Sequence, residues 1–452
     1  MSTYGEEPKR LAINARLLLL GRDEGCMPGL SEGLDRLGMR TISAHSPEAA
    51  YAAISDLGIE AVLVDDASQA DWPHLLEKLR ASAWPRRIPV ILSRDDSRFS
   101  VPEGWDLVFT RDAHPQQIAV CVDHMIRACV AEEEYDIRCQ TFNIPLDQAD
   151  HLTNDPAPLS LLSIGQPDPE YLALTHHLRD QGVDIVAALS SYSAFDYLHD
   201  RSFDAVLLWG GEQPSEALAV ASGMRRNTRL YHTPVLLRLN SLVELDLGDA
   251  YLRGVNDIAN PKAGIAEIGD RLLRLAKLHR RQQTIRKTLE SMRRNPEMDK
   301  GTGLFGRDLF AAHLARLSKA AEQRNRPLSI CVLKISNTPD VARARQKKLL
   351  DRAVPQVGSM IARLVRAEDS GGRLSNEVFA LALPATPRAA ALNVAERIAA
   401  VIGCTAFDAG SGKAPYVVEF EVGAAQIQRG EAPAHALTRA ADAAGNRDRQ
   451  AV

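Results

Sequence analysis

The chain has no CxxC pair, no long apolar run and no strong excess of either charge. Its six cysteines, at positions 26, 121, 129, 139, 331 and 404, are scattered. Without paired spacing they read as reduced thiols, not as disulfides or a zinc site. No run reaches about 18 apolar residues, the length at which a membrane span is read. The opening residues, MSTYGEEPKR, lack the apolar core of a signal peptide, so a cytoplasmic protein without a membrane span is expected. A formal net charge of −4 gives no basis for general nucleic-acid binding. What is present is 45% apolar and 25% charged residues over 452 positions. That is ordinary globular material, enough for about three domains of roughly 150 residues.

From Arg10 onward, short apolar runs alternate with helical patterns. Strands are expected at Ala15–Leu20, Thr41–Ala44, Ala61–Val64, Pro89–Leu92 and Leu107–Thr110. Helices are expected between them at Gly29–Leu37, Pro47–Asp56 and Leu75–Leu79, and after them at Gln116–Val130. Five short strands, each followed by a helix, imply a parallel sheet covered on both faces. The pattern returns about 145 residues later, with strands expected at Leu159–Ile164, Ile185–Leu189, Ala205–Leu208, Pro234–Leu237 and Asp257–Ala259. Ile59-Glu-Ala-Val-Leu-Val-Asp65 pairs with Phe203-Asp-Ala-Val-Leu-Leu-Trp209, which reads as a duplicated module.

These modules resemble response-regulator receiver domains, which have a flavodoxin-like α/β fold with chemistry at the carboxyl ends of the strands. The resemblance implies a phospho-acceptor Asp after the third strand, acids after the first, a hydroxyl after the fourth and a Lys after the fifth. The first module offers Asp65 as acceptor and Ser93 as hydroxyl, with Arg111 in the Lys position. After its first strand stand Gly21-Arg22, with Asp23 and Glu24 arriving late. Mg²⁺ needs converging carboxylates, which Arg22 would oppose, so Asp65 is either a phospho-acceptor or only a strand-end cap. The second module has Trp209, Arg238 and Asn260 at the three positions. An indole neither accepts a phosphoryl group nor binds Mg²⁺, so an adaptor or dimerisation module is expected there.

Glu267–Arg294 reads as a charged helix. Leu278, Ile285 and Met292 stand seven apart, as do Leu275 and Leu289 with Gln282 between. Little more than two heptads leave a signalling coiled coil and a plain amphipathic linker equally open.

Beyond Met298 the pattern changes to α+β. A helix to about Gln323, a buried strand at Leu328–Ile335 and one helix over Ala342–Val365 are expected. A hairpin through Phe379–Leu383, a helix at Pro387–Ile402, a strand pair ending at Val417–Val422 and a closing helix at Ala434–Ala443 complete it. Two motifs stand out. Asp299-Lys-Gly-Thr-Gly-Leu-Phe-Gly-Arg307 opens the region, and Arg373-Leu-Ser-Asn-Glu-Val-Phe379 runs into the strand ending at Pro384. Both resemble the GGDEF (diguanylate cyclase) domain across the last third of the chain. The register makes Ser375-Asn376-Glu377-Val378-Phe379 the signature and leaves Gly371-Gly372 outside it.

The resemblance implies a catalytic half that is lost. Joining two GTP molecules needs carboxylates that hold Mg²⁺. The family's DxD reads Lys334-Ile-Ser336 here, Ser375 and Asn376 replace the phosphate-approaching glycines, and Val378 replaces an acid. The downstream Asn and Asp that contact guanine and ribose have no counterpart in Asn337-Thr-Pro-Asp-Val341. Only Glu377 survives, and an ion pair from Lys334 to Glu377 is expected in place of the metal. No catalytic residue, metal or cofactor is expected.

The resemblance also implies a regulatory half that is kept. Arg366-Ala-Glu-Asp369 stands five residues before the signature, the spacing of the family's inhibitory RxxD site for cyclic di-GMP, and Arg397 matches a second family arginine. An arginine fork engages guanine O6 and N7 together, and a carboxylate suits the N1–H and N2–H₂ donors. RxxD alone carries no weight, since Arg201–Asp204 and Arg439–Asp442 also fit it.

The expected organisation is a receiver at 1–140, a degenerate receiver at 141–280, a linker helix at 281–297 and a degenerate GGDEF domain at 298–452. It resembles response regulators with two receivers and a GGDEF domain, and in its signature their non-catalytic members. Three readings stand: a cyclic di-GMP effector, a residual diguanylate cyclase and a ligand-free scaffold. For the first, the resemblance implies a homodimer whose receivers recruit cell-pole factors and an adaptor delivering a cell-cycle transcription regulator to the ClpXP protease. No nucleic-acid partner is expected.

Overall fold

The structure is a computed structural model. It describes residues 15–21, 27–66, 71–94, 101–145, 157–165, 169–210, 214–239, 245–409 and 414–447. Asp23 and Glu24 lie outside the described residues.

The first sheet contains β1 (Arg16–Leu20), β2 (Arg40–Ala44), β3 (Ala61–Asp65), β4 (Val90–Arg94) and β5 (Leu107–Thr110). Around it run α1 (Pro28–Arg36), α2 (Pro47–Leu57), α3 (Trp72–Ala83) and α4 (Pro115–Thr141). All pairings are parallel, in the order β2-β1-β3-β4-β5. Every residue of β3 is buried, as a central strand covered on both faces requires. Ser46 starts α2 by accepting the Ala49 amide at 3.2 Å, and Gly58 ends it at φ 63°.

The second sheet repeats this plan. It contains β6 (Ser160–Ile164), β7 (Asp184–Ala188), β8 (Ala205–Trp209), β9 (Val235–Arg238) and β10 (Asp257–Ala259). Its helices are α5 (Pro169–Arg179), α6 (Ser191–Asp200), α7 (Ser215–Arg226), α8 (Leu247–Leu252) and α9 (Ile265–Met292). The order β7-β6-β8-β9-β10 is the same doubly wound 2-1-3-4-5 arrangement. The ten strands expected from the sequence are all present, within about two residues at each end.

The third sheet is mixed, ordered β11-β13-β14-β12-β15. Its strands are β11 (Phe305–Gly306), β12 (Leu328–Ile335), β13 (Ser370–Arg373), β14 (Val378–Pro384) and β15 (Phe420–Gln426). Its helices are α10 (Arg307–Gln323), α11 (Pro339–Gln346), α12 (Leu350–Leu364), α13 (Arg388–Gly403) and α14 (Pro433–Arg447). β14 and β15 flank β12 antiparallel, and Phe379, Leu381, Leu333 and Val422 sit in one core.

Two expectations for this region are corrected. The helix expected over Ala342–Val365 is two helices, broken where Lys348 takes a left-handed φ of 56°. The strand pair expected to end at Val422 is a single strand, β15, preceded only by an isolated bridge between Phe407 and Tyr416. β11 was not foreseen; two residues are too few to show a period.

The chain divides into two compact units. Unit 1 holds Met1–Cys129 and Asp150–Thr284, and unit 2 holds Val130–Ala149 and Ile285–Val452. The border drawn at 280 falls inside α9, which is one continuous helix of 28 residues. Of its stripe residues, Leu275, Ile285, Leu289 and Met292 are buried and Leu278 is half-buried.

Candidate functional site

The strand ends of unit 1 carry two unlike clusters. At the end of β3, Asp65 is buried. Arg111, just beyond β5, donates Nε to its Oδ1 at 3.1 Å and Nη2 to the same oxygen. Ser93 is buried in register beside Asp65. The carboxylate thus carries an arginine partner where an acceptor needs access for a phosphoryl donor. In the second module, Trp209 fills the equivalent position. Its indole Nε1 donates to Ser163 Oγ at 2.8 Å, and the Arg238 guanidinium lies 5.6 Å from its ring centroid. Arg238 also pairs with Glu170. A side chain on Gly165 would put its Cβ 2.6 Å from Trp209 Cβ, so only glycine leaves room for the indole.

Unit 2 holds the hairpin of β13 and β14. Leu374 N donates to Val378 O at 2.9 Å and Glu377 N to Ser375 Oγ at 3.3 Å, which closes the turn on itself. Arg373 braces it, with Nη2 to Asn376 Oδ1 at 3.0 Å and Nη1 to Asp299 Oδ1 at 3.4 Å. Burial pushes the Asp299 carboxyl up, but the Thr302 hydroxyl and amide together with Arg373 outweigh it and hold the group low.

The ion pair expected between Lys334 and Glu377 is replaced by two others. Lys334 Nζ pairs with Glu421 Oε2 at 2.9 Å. The reason is register: Lys334 stands opposite both Val378 and Glu421, and the acid across the ladder is Glu421. Glu377 is held by Arg345 through two parallel bonds of 2.7 Å, Nε to Oε1 and Nη2 to Oε2. Arg345 Nη1 also reaches Asn337 Oδ1 at 2.9 Å. The Glu377 bonds hold the Arg345 guanidinium above its usual range. Ser336 is half-buried at the end of β12, and its amide donates to Glu419 O at 2.8 Å.

Arg366-Ala-Glu-Asp369 forms the turn between α12 and β13. Asp369 Oδ2 accepts the Arg366 amide at 3.0 Å, and the Asp369 amide donates to Arg366 O at 3.3 Å. Asp369 is only 3% exposed, and its Oδ1 is buried without a hydrogen-bond partner. Burial, with Glu368 adding to it, pushes this carboxyl up to about 7 against the pull of Arg366. Arg397, on α13, is exposed and points Nη2 at Leu364 O, 3.5 Å away. The structure therefore brings Arg366 and Arg397 to the same end of α12, while the acid between them faces inward. In the other two RxxD matches the arginine pairs with an acid outside the motif, Arg201 with Asp184 at 3.4 Å and Arg439 with Glu431 at 2.7 Å.

Residues 297–451 match the family model described as diguanylate cyclase, GGDEF domain. This region is a GGDEF domain. The chain is also similar to the response regulator PleD of Caulobacter vibrioides, 25% identical over 238 residues. That match covers 52% of this chain and 52% of PleD, so the chain spans about half the length of the curated relative. Among solved structures, the GGDEF domain of DgcB from Caulobacter crescentus in complex with c-di-GMP is 21% identical, with a TM-score of 0.32. It covers 35% of this chain and 90% of that one. The FimX GGDEF domain from Pseudomonas aeruginosa is 17% identical, with a TM-score of 0.31, covering 34% and 94%.

Several residues of the GGDEF domain's surroundings went unread in the sequence. Arg345 and Glu421 lie outside any motif, although each answers a charge the motif left behind. Glu134 and Arg138, on the last turns of α4, are buried with His313 of α10. Arg138 Nε donates to Glu134 Oε1 at 2.7 Å, and His313 Nε2 lies 3.1 Å from the same oxygen. The helix expected to end at Val130 runs on to Thr141, and Glu132-Glu133-Glu134 fall in that extension. Among the described residues no group of three or more His, Cys, Asp or Glu is placed to hold a metal ion. No described helix is long and apolar enough to cross a membrane.

Proposed function

We propose that the chain is a cyclic di-GMP effector of response-regulator type that does not itself make the dinucleotide. One observation carries this reading: Glu377, the one surviving signature acid, is held by Arg345, and Lys334 pairs with Glu421 of β15, while Arg397 reaches the end of α12 beside the turn that carries Arg366. Mg²⁺ takes converging oxygen ligands. Lys334 brings a cation to the position where the family holds a metal-binding Asp, and both oxygens of Glu377 are engaged by Arg345. The donor set does not fit the metal, and no reaction step is drawn through one.

In this reading Arg366 and Arg397 take the guanine and phosphodiester groups of the ligand. Asp369 shapes the turn through the Arg366 amide. The domains proposed from the sequence are receivers at 1–140 and 141–280, a linker at 281–297 and the GGDEF domain from 298, with residues 130–149 clustering with the last of these and the border at 280 lying inside α9. Asp65 is the candidate phospho-acceptor, and the indole-filled second module is the adaptor. The combination resembles the non-catalytic regulator PopA more than PleD. By that resemblance the output is a homodimer recruited to the cell pole, handing a cell-cycle regulator to a proteolysis adaptor.

A second reading has its own observation. The inward-facing Asp369 carboxylate favours a ligand-free scaffold in which both nucleotide sites are relics. Calorimetric titration of the full chain with cyclic di-GMP separates the two. Saturable binding that weakens at least tenfold in Arg366→Ala supports the effector, since one bidentate base contact carries about 1–3 kcal/mol. No heat at ligand concentrations well above the protein leaves the scaffold. A parallel assay for GTP turnover is expected to show none, and measurable product would restore the cyclase.

A further inference from the structure

The turn that carries Arg366 is gripped from inside by two arginines that no sequence motif marks. Arg138, only 2% exposed, directs Nη2 to Ala367 O at 2.9 Å, Asp369 O at 3.0 Å and Ser370 Oγ at 3.2 Å. Its Nη1 donates to Leu289 O of α9 at 3.2 Å, and its Nε is taken by Glu134. All three nitrogens are therefore engaged. Arg293, just past α9, donates Nη2 to Arg366 O at 3.2 Å and Nη1 to Ala362 O. Between them the two guanidinium groups hold one orphan carbonyl of α12, that of Ala362, and the carbonyls of Arg366, Ala367 and Asp369 in the turn beyond it. Ser370 closes the network: its hydroxyl donates to Glu134 Oε1 at 3.0 Å, and its Oγ lies 3.1 Å from His313 Nε2.

We infer that Arg138 and Arg293 are positioning residues for the dinucleotide site, fixing the 366–370 turn so that Arg366 is presented in its binding geometry. The inference rests on the effector reading above. A planar guanidinium is a rigid fork, so the acceptors it holds keep fixed places relative to one another. Buried and fully bonded, it cannot release one acceptor without stranding another. Affinity then depends on this inner frame, because ligand binding to a preformed turn loses less ordering entropy than binding to a loose one. Linkage requires the reverse effect as well: a ligand that favours the fixed turn tightens the segments that fix it.

The test uses the full chain, cyclic di-GMP calorimetry and amide hydrogen exchange. Arg293→Met is the main variant, because Arg293 is only half-buried and its loss leaves the Arg138 network whole. Arg138→Met is the second, read only if it folds. Arg293→Met is expected to speed exchange of the 367–370 amides without ligand and to weaken binding at least fivefold, with Arg293→Lys recovering part of the loss. In the wild type, ligand is expected to slow exchange in residues 130–141 as well as in the turn. Wild-type binding with unchanged affinity and unchanged turn exchange in Arg293→Met would overturn the inference and leave the effector reading standing. If the wild type binds no cyclic di-GMP, the effector reading falls and this inference falls with it.

Discussion

Asp369 is the residue whose chemistry differs most from its place in the motif. The family resemblance implies a partner for guanine there, and the fold turns the side chain inward to hold the Arg366 amide. Its carboxyl is raised to about 7 in the folded chain, against an ordinary value near 4 for an unfolded Asp. Between those values the folded state keeps a proton that the unfolded chain has lost. Asp369 therefore favours folding at low pH, and that contribution is lost as pH rises through about 7. Asp369→Asn, isosteric and uncharged, removes the dependence. Thermal melts are expected to show the variant gaining on the wild type between pH 5 and pH 8. A constant difference across that range would mean that the carboxylate is not titrating. Lys334 and Glu377 show the complementary limit of reading residues one at a time. Read alone, they are expected to pair with each other; that Arg345 and Glu421 hold them instead depends on ladder register and helix placement.

At the level of elements, the glycine pair Gly371-Gly372 has a mechanical role. It sits in β13, separated from the signature by Arg373 and Leu374, and a Cβ on Gly372 would lie 2.5 Å from the Phe310 ring. Backbone and aromatic ring pack directly, so Gly372→Ala is expected to cost about 1–3 kcal/mol, the usual range for overpacking. Urea titration of the full chain, followed by a probe in the GGDEF domain, measures it; a loss below about 0.5 kcal/mol, the range of ordinary surface substitutions, would show that Phe310 moves aside freely. The ten strands of unit 1 were legible because continuous apolar runs bounded by turn residues are what a doubly covered parallel sheet demands. The break at Lys347-Lys348 was not. Neither residue is a helix breaker by type, yet Lys348 takes a left-handed φ there. The buried cluster of Glu134, Arg138 and His313 was equally hidden. Charged residues on a helix read as its solvated face until another element is seen to cover them.

Across the whole molecule, the duplicated sheets have kept one topology and diverged at the strand ends. One end carries an acid with an arginine partner, Asp65 with Arg111; the other is filled by Trp209. That indole has a further use. The chain has four tryptophans, Trp72, Trp84, Trp105 and Trp209, and all of them lie in unit 1. The GGDEF domain contains none, so the protein's tryptophan emission comes from one unit alone. Trp209 is hydrogen-bonded and faces a guanidinium, and Trp84 is 79% exposed, so the two stand in opposite environments and are separable by Trp→Phe exchange. Cyclic di-GMP added at the GGDEF domain is expected to change the emission only if its binding is felt in unit 1. A silent spectrum during a titration that calorimetry records as binding would confine the response to unit 2. The absence of one residue type from a domain thus gives the unlabelled protein a built-in optical test for communication along the chain.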